Sequence, residues 1–463
     1  MFKKNDGYTK LTFFLAVTVA AMCGIIGSGF YRNLSASDEE TYEGLKIFAD
    51  VIDLVEKNYV DPVDTKDLIQ KAIQGMVSSL DPHSQLLPPE AHEELRIDTR
   101  GEFGGIGIVI TMQDGLLTVI SPIEGTPAQE AGIEAGDVII EVDGETTKDM
   151  MLWEAVKRMR GPKGEPVVIT VLREGEPEPI EFTLVRDIIP IESVKHMVIR
   201  PGYGYIRITN FQESTTGDLQ TALADLKKST PPLKGLVLDL RDNPGGLLDQ
   251  AISVSDAFLE AGDIVSIKGR QTRHTKVFKA HANPEDNRFP MVVLINGGSA
   301  SASEIVSGAL QDHKRAVILG TTSFGKGSVQ TVESLRDGYG LKFTIARYYT
   351  PSGRSIQAQG IVPDIIVKHR YIEEEEEEPV RLLKEKDLRN HLDALPLITD
   401  EEEDEEDENT APSPDGSTRK KERKRKSQNR YGPLTVENLE SDNQVMRALE
   451  ILRGYQIFSD ARS

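Results

Sequence analysis

Short uninterrupted apolar runs, each followed by a glycine-bearing turn, dominate the middle of this chain. Leu236 to Leu240, Met291 to Ile295 and Ala316 to Leu319 are runs of this kind. Their length and flanking turn residues fit strands of a sheet buried on both faces. After the second run, Ile305, Val306, Ala309 and Leu310 recur at helical spacing, which predicts a helix from Ala302 to near Asp312. After the first, a helix is expected from near Leu248 to Phe258. The strand–helix alternation between residues 188 and 350 argues for an α/β core.

Other regions carry other periods. Ile106, Ile108 and Ile110 alternate, as in a strand with one buried face. Thr126 to Gly132 reads as a short helix closed by glycine, and Val138 to Val142 as a strand ending in an Asp143-Gly144 turn. Trp153, Val156 and Met159 mark one face of a second helix, so residues 100–187 read as a separate small module. Leu45, Phe48, Ile52 and Val55, then Leu68, Ala72 and Met76, form two helical stripes within residues 38–98. Near the end, the pattern from Asp442 to Leu452 is an amphipathic helix with Gly454 as its expected stop.

The two ends change the picture. Lys3, Lys4 and Lys10 precede an apolar stretch from Leu11 to Ile26 that extends to Phe30, long enough to cross a bilayer. The lysines hold the N-terminus in the cytoplasm and send the rest outward. The length favours an uncleaved anchor. Cys23, the one cysteine, lies in this stretch, so the exported part has no internal disulfide. About half of the formal net charge of −21 lies beyond residue 370, where Glu373 to Glu378 and Asp400 to Glu408 are acidic. The run from Arg419 to Lys426 reverses the sign. Such blocks bury no core and predict a disordered linker. Nucleic-acid binding is not expected of an exported chain.

Candidate chemistry sits in Gly298 to Glu304 and in Gly320 to Gln330. The first places Ser299, Ser301 and Ser303 at a helix N-terminus, where unpaired N–H groups stabilise negative charge. Ser301 and Glu304 also have capping-box spacing, which would make Ser301 merely a cap. The second brings Lys326, which when neutral can take a serine proton, and Gln330, four residues on, whose amide oxygen can orient an amine. Gly320 to Lys326 is also the first part of a phosphate-binding loop, but Gly327 stands where that motif needs Ser or Thr. His313 lies at the far end of the helix that Ser301 opens, and His83 sits in a turn. No histidine shows metal-ligand spacing, and neither metal nor cofactor is expected.

These runs, together with Tyr348 to Arg354, Gly360 to Asp364, Asp239 to Gly246 and Leu80 to Ser84, resemble the carboxy-terminal processing peptidases, which are Ser/Lys endopeptidases carrying a PDZ domain. The resemblance spans about residue 40 to residue 370. It implies Ser301 as nucleophile, Lys326 as general base and Gln330 as its orienter. It also implies an oxyanion site built from Ala302 and the Gly245-Gly246 loop, with the choice between the two glycines open. The module at 100–187, through Pro127 to Asp137, resembles a PDZ domain. There the loop Gly105, Ile106, Gly107 and Ile108 would hold a peptide C-terminus. Arg160, after the second helix, is a candidate sensor of groove occupancy.

The resulting expectation is a crotonase-like α/β protease core with an inserted β-rich PDZ domain and flanking helices. Its segments are an anchor and linker (1–37), a helical region (38–99), a PDZ domain (100–187), a protease core (188–370), a charged linker (371–432) and a C-terminal helix (433–463). The substrates would be proteins or peptides with accessible C-termini, met at the extracytoplasmic side of a membrane. Self-association through the N-terminal helices is a further expectation. A nucleotide-binding protein and an inactive peptide-binding scaffold are the alternatives.

Overall fold

Every second residue of the central strands faces one helical layer and its neighbour faces another, in a computed structural model that describes residues 40–370 and 434–461 apart from 114, 149, 230–231 and 283–286. The expected anchor and charged linker lie outside the described residues. Among the described residues no helix is long and apolar enough to cross a membrane.

The chain divides into two compact units, residues 1–79 and 80–463. The first holds helix α1 (40–58) and α2 (Thr65–Ser78), the latter capped by Asp64, which accepts the Lys66 N–H at 2.8 Å. Both stripes leave large apolar groups on this unit's surface, with Leu45 61 % and Met76 64 % exposed.

The second unit opens with β1 (Gln85–Leu87), where the helical pattern had predicted no strand. Three residues are too few to show a period, and β1 exists because β18 pairs with it. Helix α3 (Pro89–Arg100) follows and ends at Gly101, whose φ of 77° is left-handed.

The β-rich module contains β2 (Glu102–Gly105), β3 (Ile108–Gln113), β4 (Leu116–Pro122), α4 (Pro127–Glu130), β5 (Val138–Val142), β6 (Glu145–Thr146), α5 (Leu152–Met159), β7 (Pro166–Leu172), β8 (Ile180–Val185) and β9 (Asp187–Pro190). Its sheet runs β3-β4-β5-β7-β8, and a separate β2–β9 pair ties its two ends together. Ile106, Val119, Ile139, Val142 and Ile169 fill its core. Helix α5 forms where expected but rotated. Ala155 and Met159, four apart, are buried, while Trp153 is 61 % exposed. A residue two positions from Ala155 points to the opposite side of a helix, so of the expected stripe Met159 packs inward, Val156 is half-buried and Trp153 faces out.

The remainder contains β10 (Val194–Arg200), β11 (Tyr203–Ile208), α6 (Thr215–Ser229), β12 (Gly235–Asp239), α7 (Leu248–Asp256), β13 (Asp263–Gly269), β14 (Lys276–Lys279), β15 (Met291–Ile295), α8 (Ala302–Asp312), β16 (Val317–Gly320), β17 (Ser328–Ser334), β18 (Gly340–Tyr349), β19 (Ile365–Ile366), α9 (Val436–Ser441) and α10 (Asn443–Asp460). One sheet runs β10-β11-β12-β15-β16-β19, parallel from β11 onward. A second joins β1, β13, β14 and β17 around β18. On the first sheet, Leu236, Leu238, Val293 and Ile295 pack with residues of α6, α7 and α8. Val237, Val292, Leu294 and Leu319 on the other face pack with Leu439, Val445, Ala448, Leu449 and Leu452. The C-terminal helices therefore cover a face that a parallel sheet cannot leave wet.

Helix α10 does not stop at Gly454. A side chain there would meet nothing within 4 Å, so this glycine costs only its weak helix propensity, about 1 kcal/mol, inside an 18-residue helix. Leu449 is 2 % exposed in the layer beneath α10. Leu449→Ala should lower unfolding stability by about 3 kcal/mol. An unchanged urea midpoint would show that this face is covered otherwise.

Candidate active site

Three chain turns meet at the carboxyl ends of the adjacent parallel strands β12, β15 and β16, where open α/β sheets place their sites. The turn after β15 carries the three serines. Ser299 and Ser303 are fully buried, and their hydroxyls donate to main-chain carbonyls, Ser299 to Leu240 at 2.8 Å and Ser303 to Asn243 at 3.0 Å. Ser301, between them, is only partly buried and sits at φ 53°, ψ −111°, outside helical and strand geometry. That strained turn lifts its side chain away from the two committed hydroxyls and begins α8 immediately afterwards.

Glu304 holds this turn to the next one. It is fully buried, and Oε2 accepts the N–H of Ser301 at 2.8 Å and that of Lys326 at 2.9 Å. Oε1 accepts the Ser323 hydroxyl at 2.5 Å and the Gly325 N–H at 2.8 Å. The capping spacing of Ser301 and Glu304 is thus real, yet the carboxylate also reaches twenty residues ahead. Sequence reading noticed Glu304 only as a helix cap. Its second role has no local signal, because its partners come from another strand's loop. Burial pushes the Glu304 carboxyl up to about 7, opposed by hydrogen bonds from Ser323, Gly325, Ser301 and Lys326.

The turn after β16 bears Lys326. Phe324 donates to Ser299 O at 3.0 Å, and Gly327 to Gln357 Oε1 at 2.9 Å, so the loop is pinned on both sides of the lysine. Lys326 precedes β17 instead of lying in it, and the register shifts between Val329 and Gln330. The four-residue spacing therefore does not act as one regular face. Gln330 Nε2 donates to Ser328 Oγ at 2.9 Å and Thr344 Oγ1 at 3.4 Å.

The turn after β12 brings in the glycines. Gly245 has φ 104°, and a methyl group on it would lie 2.8 Å from Ser301 Cβ and 3.0 Å from Ala302 N. Gly246 has φ 142°, and a methyl group there would meet Phe211 O at 2.1 Å. The Gly245 N–H donates to Asn243 Oδ1 at 2.9 Å. Among the described residues no acceptor meets the N–H of Gly246 or Ala302.

The remaining candidates fall elsewhere. His313 bonds the Asp263 carbonyl through Nε2 at 2.7 Å, far along α8 from Ser301. The Gly320 to Lys326 loop leads into a strand, and two of its N–H groups are spent on Glu304, so it offers no phosphate cradle. Among the described residues no cluster of metal ligands occurs. In the β-rich module, Gly105, Ile106, Gly107 and Ile108 link β2 to β3, with Gly107 at φ 79° and Ile106 2 % exposed in the core. Strand β3 pairs only with β4 and so presents a sheet edge. The Arg160 guanidinium lies 4.3 Å above the Phe103 ring, beside this loop's start.

Comparison with known proteins gives three family matches and several similar proteins. Peptidase family S41 matches residues 202–367, a PDZ domain residues 118–173, and the N-terminal domain of the activating protease CtpB residues 28–90. The chain is 47 % identical over 386 residues to the carboxy-terminal-processing protease of Bartonella bacilliformis, covering 83 % of this chain and 88 % of that one. It is 38 % identical over 327 residues to the carboxyl-terminal-processing protease of Synechocystis, covering 69 % and 76 %. Among solved structures it is similar to a photosystem II D1 C-terminal processing protease at 33 % identity and TM-score 0.41, over 69 % of this chain and 92 % of that one.

Glu304→Gln keeps the side chain's shape but turns an amide N–H toward backbone N–H groups. Turnover should fall about a hundredfold through misplacement of Ser301 and Lys326. The stability profile tests the carboxyl itself. An acid whose folded pKa is raised contributes stability that is complete below its unfolded value and lost as pH rises to about 7. Wild type should therefore lose about 3 kcal/mol relative to Glu304→Gln between pH 4.5 and 7.5. Parallel curves in urea melts would contradict the buried titration.

Proposed function

The chain belongs to the carboxy-terminal processing peptidases of family S41, and from that premise we propose that Ser301 and Lys326 form its catalytic dyad. It is a serine-type peptidase with a PDZ domain. The observation that carries the proposal is the shared Glu304 oxygen, which accepts the backbone N–H of both residues and so makes them neighbours across two loops.

In this reading the neutral Lys326 amine removes the Ser301 proton as Oγ attacks a peptide carbonyl. The lysine then protonates the leaving amine, and water resolves the acyl-enzyme. Gln330 orients the amine once its amide turns from Ser328. The oxyanion accepts from Ala302 N–H at the start of α8 and from the glycine turn. Gly245 shapes that turn against Ser301, and its own N–H is committed to Asn243, which leaves Gly246 as the second donor. Residues Gly105 to Ile108 receive a substrate's C-terminal carboxylate, and the peptide extends β3 as an added strand. We read the core as crotonase-like. The 11–30 stretch anchors it, with the catalytic part on the extracytoplasmic side, and the apolar stripes of the first unit are the surface for self-association.

Ser301→Ala and Lys326→Ala should each lower the degradation rate of an unfolded test protein by about three orders of magnitude or more. Wild-type activity in Lys326→Ala would point to another base, and binding without turnover in wild type would leave only a scaffold. Activity should decline as pH falls, because an ammonium group has no lone pair to accept the serine proton. A rate independent of pH from 5 to 9 contradicts the lysine's role.

Amidating a peptide's C-terminus should raise KM about tenfold with kcat held, since the loop N–H groups lose a charged acceptor. Equal KM values for acid and amide would remove the PDZ loop from recognition.

A further inference from the structure

Arg241 is among the largest wholly buried side chains of the protein, at 1 % exposure, and the dyad does not use it. It stands two residues after the end of β12. Its Nε donates to Asp239 Oδ1 at 2.9 Å and its Nη2 to Asp239 Oδ2 at 2.6 Å. Tyr205 donates its hydroxyl to the same Oδ2 at 2.6 Å. The Nη1 group turns the other way, to Asp442 Oδ2 and Gln444 Oε1, both at 2.7 Å. Those two residues begin α10, about 200 positions along the chain. Asp442 also caps that helix, accepting from Gln444 N at 2.9 Å.

The other end of the same turn reaches the serine. Two residues after Arg241, Asn243 O accepts the Ala300 N–H and the Ser303 hydroxyl, each at 3.0 Å. Its Oδ1 holds the Gly245 N–H, and its Nδ2 donates to Ile208 O at 2.8 Å. One short turn, Asp239 to Gly246, is therefore held at its start by the C-terminal helix and at its middle by the residues flanking Ser301.

A buried ion cluster is weak support for stability, because apolar side chains of the same volume do as well. Its use is geometric, since a guanidinium with fixed partners leaves its main chain no second position. We propose that Arg241 is a positioning residue for the glycine turn, and that α10 completes it by supplying Asp442 and Gln444. The proposal rests on the reading of that turn as the oxyanion site. Undocking of α10 leaves Nη1 without its carboxylate, lets the turn relax, and lowers turnover while Ser301, Lys326 and the peptide groove stay intact. Burial works against the Asp442 charge, but the His369 and Arg241 contacts hold its carboxyl down at about 2, so the tie is intact at neutral pH.

The test compares full-length Asp442→Asn, Asp442→Glu and Leu449→Ala with wild type and Ser301→Ala. Peptide turnover is counted per folded enzyme, the folded fraction being read from the urea melt of each variant. Asp442→Asn should lower kcat about tenfold with KM within about twofold, and Asp442→Glu should restore part of it. Leu449→Ala removes packing area from the same helix but leaves Asp442 and Gln444 on Arg241, and should keep kcat at temperatures where the helix stays docked. Equal kcat losses in Asp442→Asn and Leu449→Ala, in proportion to lost stability, would overturn the positioning role. Wild-type kcat in Asp442→Asn beside a dead Ser301→Ala would overturn this inference alone. Activity in Ser301→Ala would remove the dyad reading and the inference with it.

Discussion

A carboxylate sealed from water must be surrounded by donors, and Glu304 draws its four from two separate turns. Ser301 contributes one, and Ser323, Gly325 and Lys326 contribute the rest. Neither turn can move without stranding a buried carboxyl group or the donors that face it. The constraint explains why a glycine-rich loop follows β16. Its N–H groups must converge on one side chain, which bulky residues would obstruct. It also explains why a loop with the look of a phosphate cradle is none, since two of its amides already donate to Glu304.

The rest of the site follows from the sheet. Strands β12, β15 and β16 are parallel and adjacent, so the turns leaving them lie side by side. A parallel sheet needs cover on both faces. Helices α6, α7 and α8 supply one side, and the last segment of the chain returns to supply the other. That return places Asp442 against Arg241, beside the turn that borders the serine. The covering layer and the turns at the strand ends are thereby parts of one packed structure.

The β-rich module is closed differently. Strands β2 and β9 pair across its entry and exit, so its ends are tied before the core begins. The pair also aims Gly105 to Ile108 at the open edge of β3. Arg160 packs on Phe103 just ahead of that loop, which gives the loop a rigid base.

Local pattern was enough for much of this. The buried runs at Leu236, Met291 and Ala316 announced β12, β15 and β16, and the period after Ser301 announced α8 to its last residue. The serine and lysine runs also made the family legible, because those turns are short and their residues contiguous. Non-local matters were not legible. Strand β1 exists only by pairing, Trp153 faces out because Ala155 and Met159 take the inner side, and α10 runs through Gly454 because nothing there ends it. The sequence by itself determined the buried central strands, the helix after Ser301 and the family, since those depend on neighbours a few residues apart. Only the tertiary structure decided that Glu304 would bind two turns and that Arg241 would meet Asp442, because those partners are distant along the chain and leave no periodic trace.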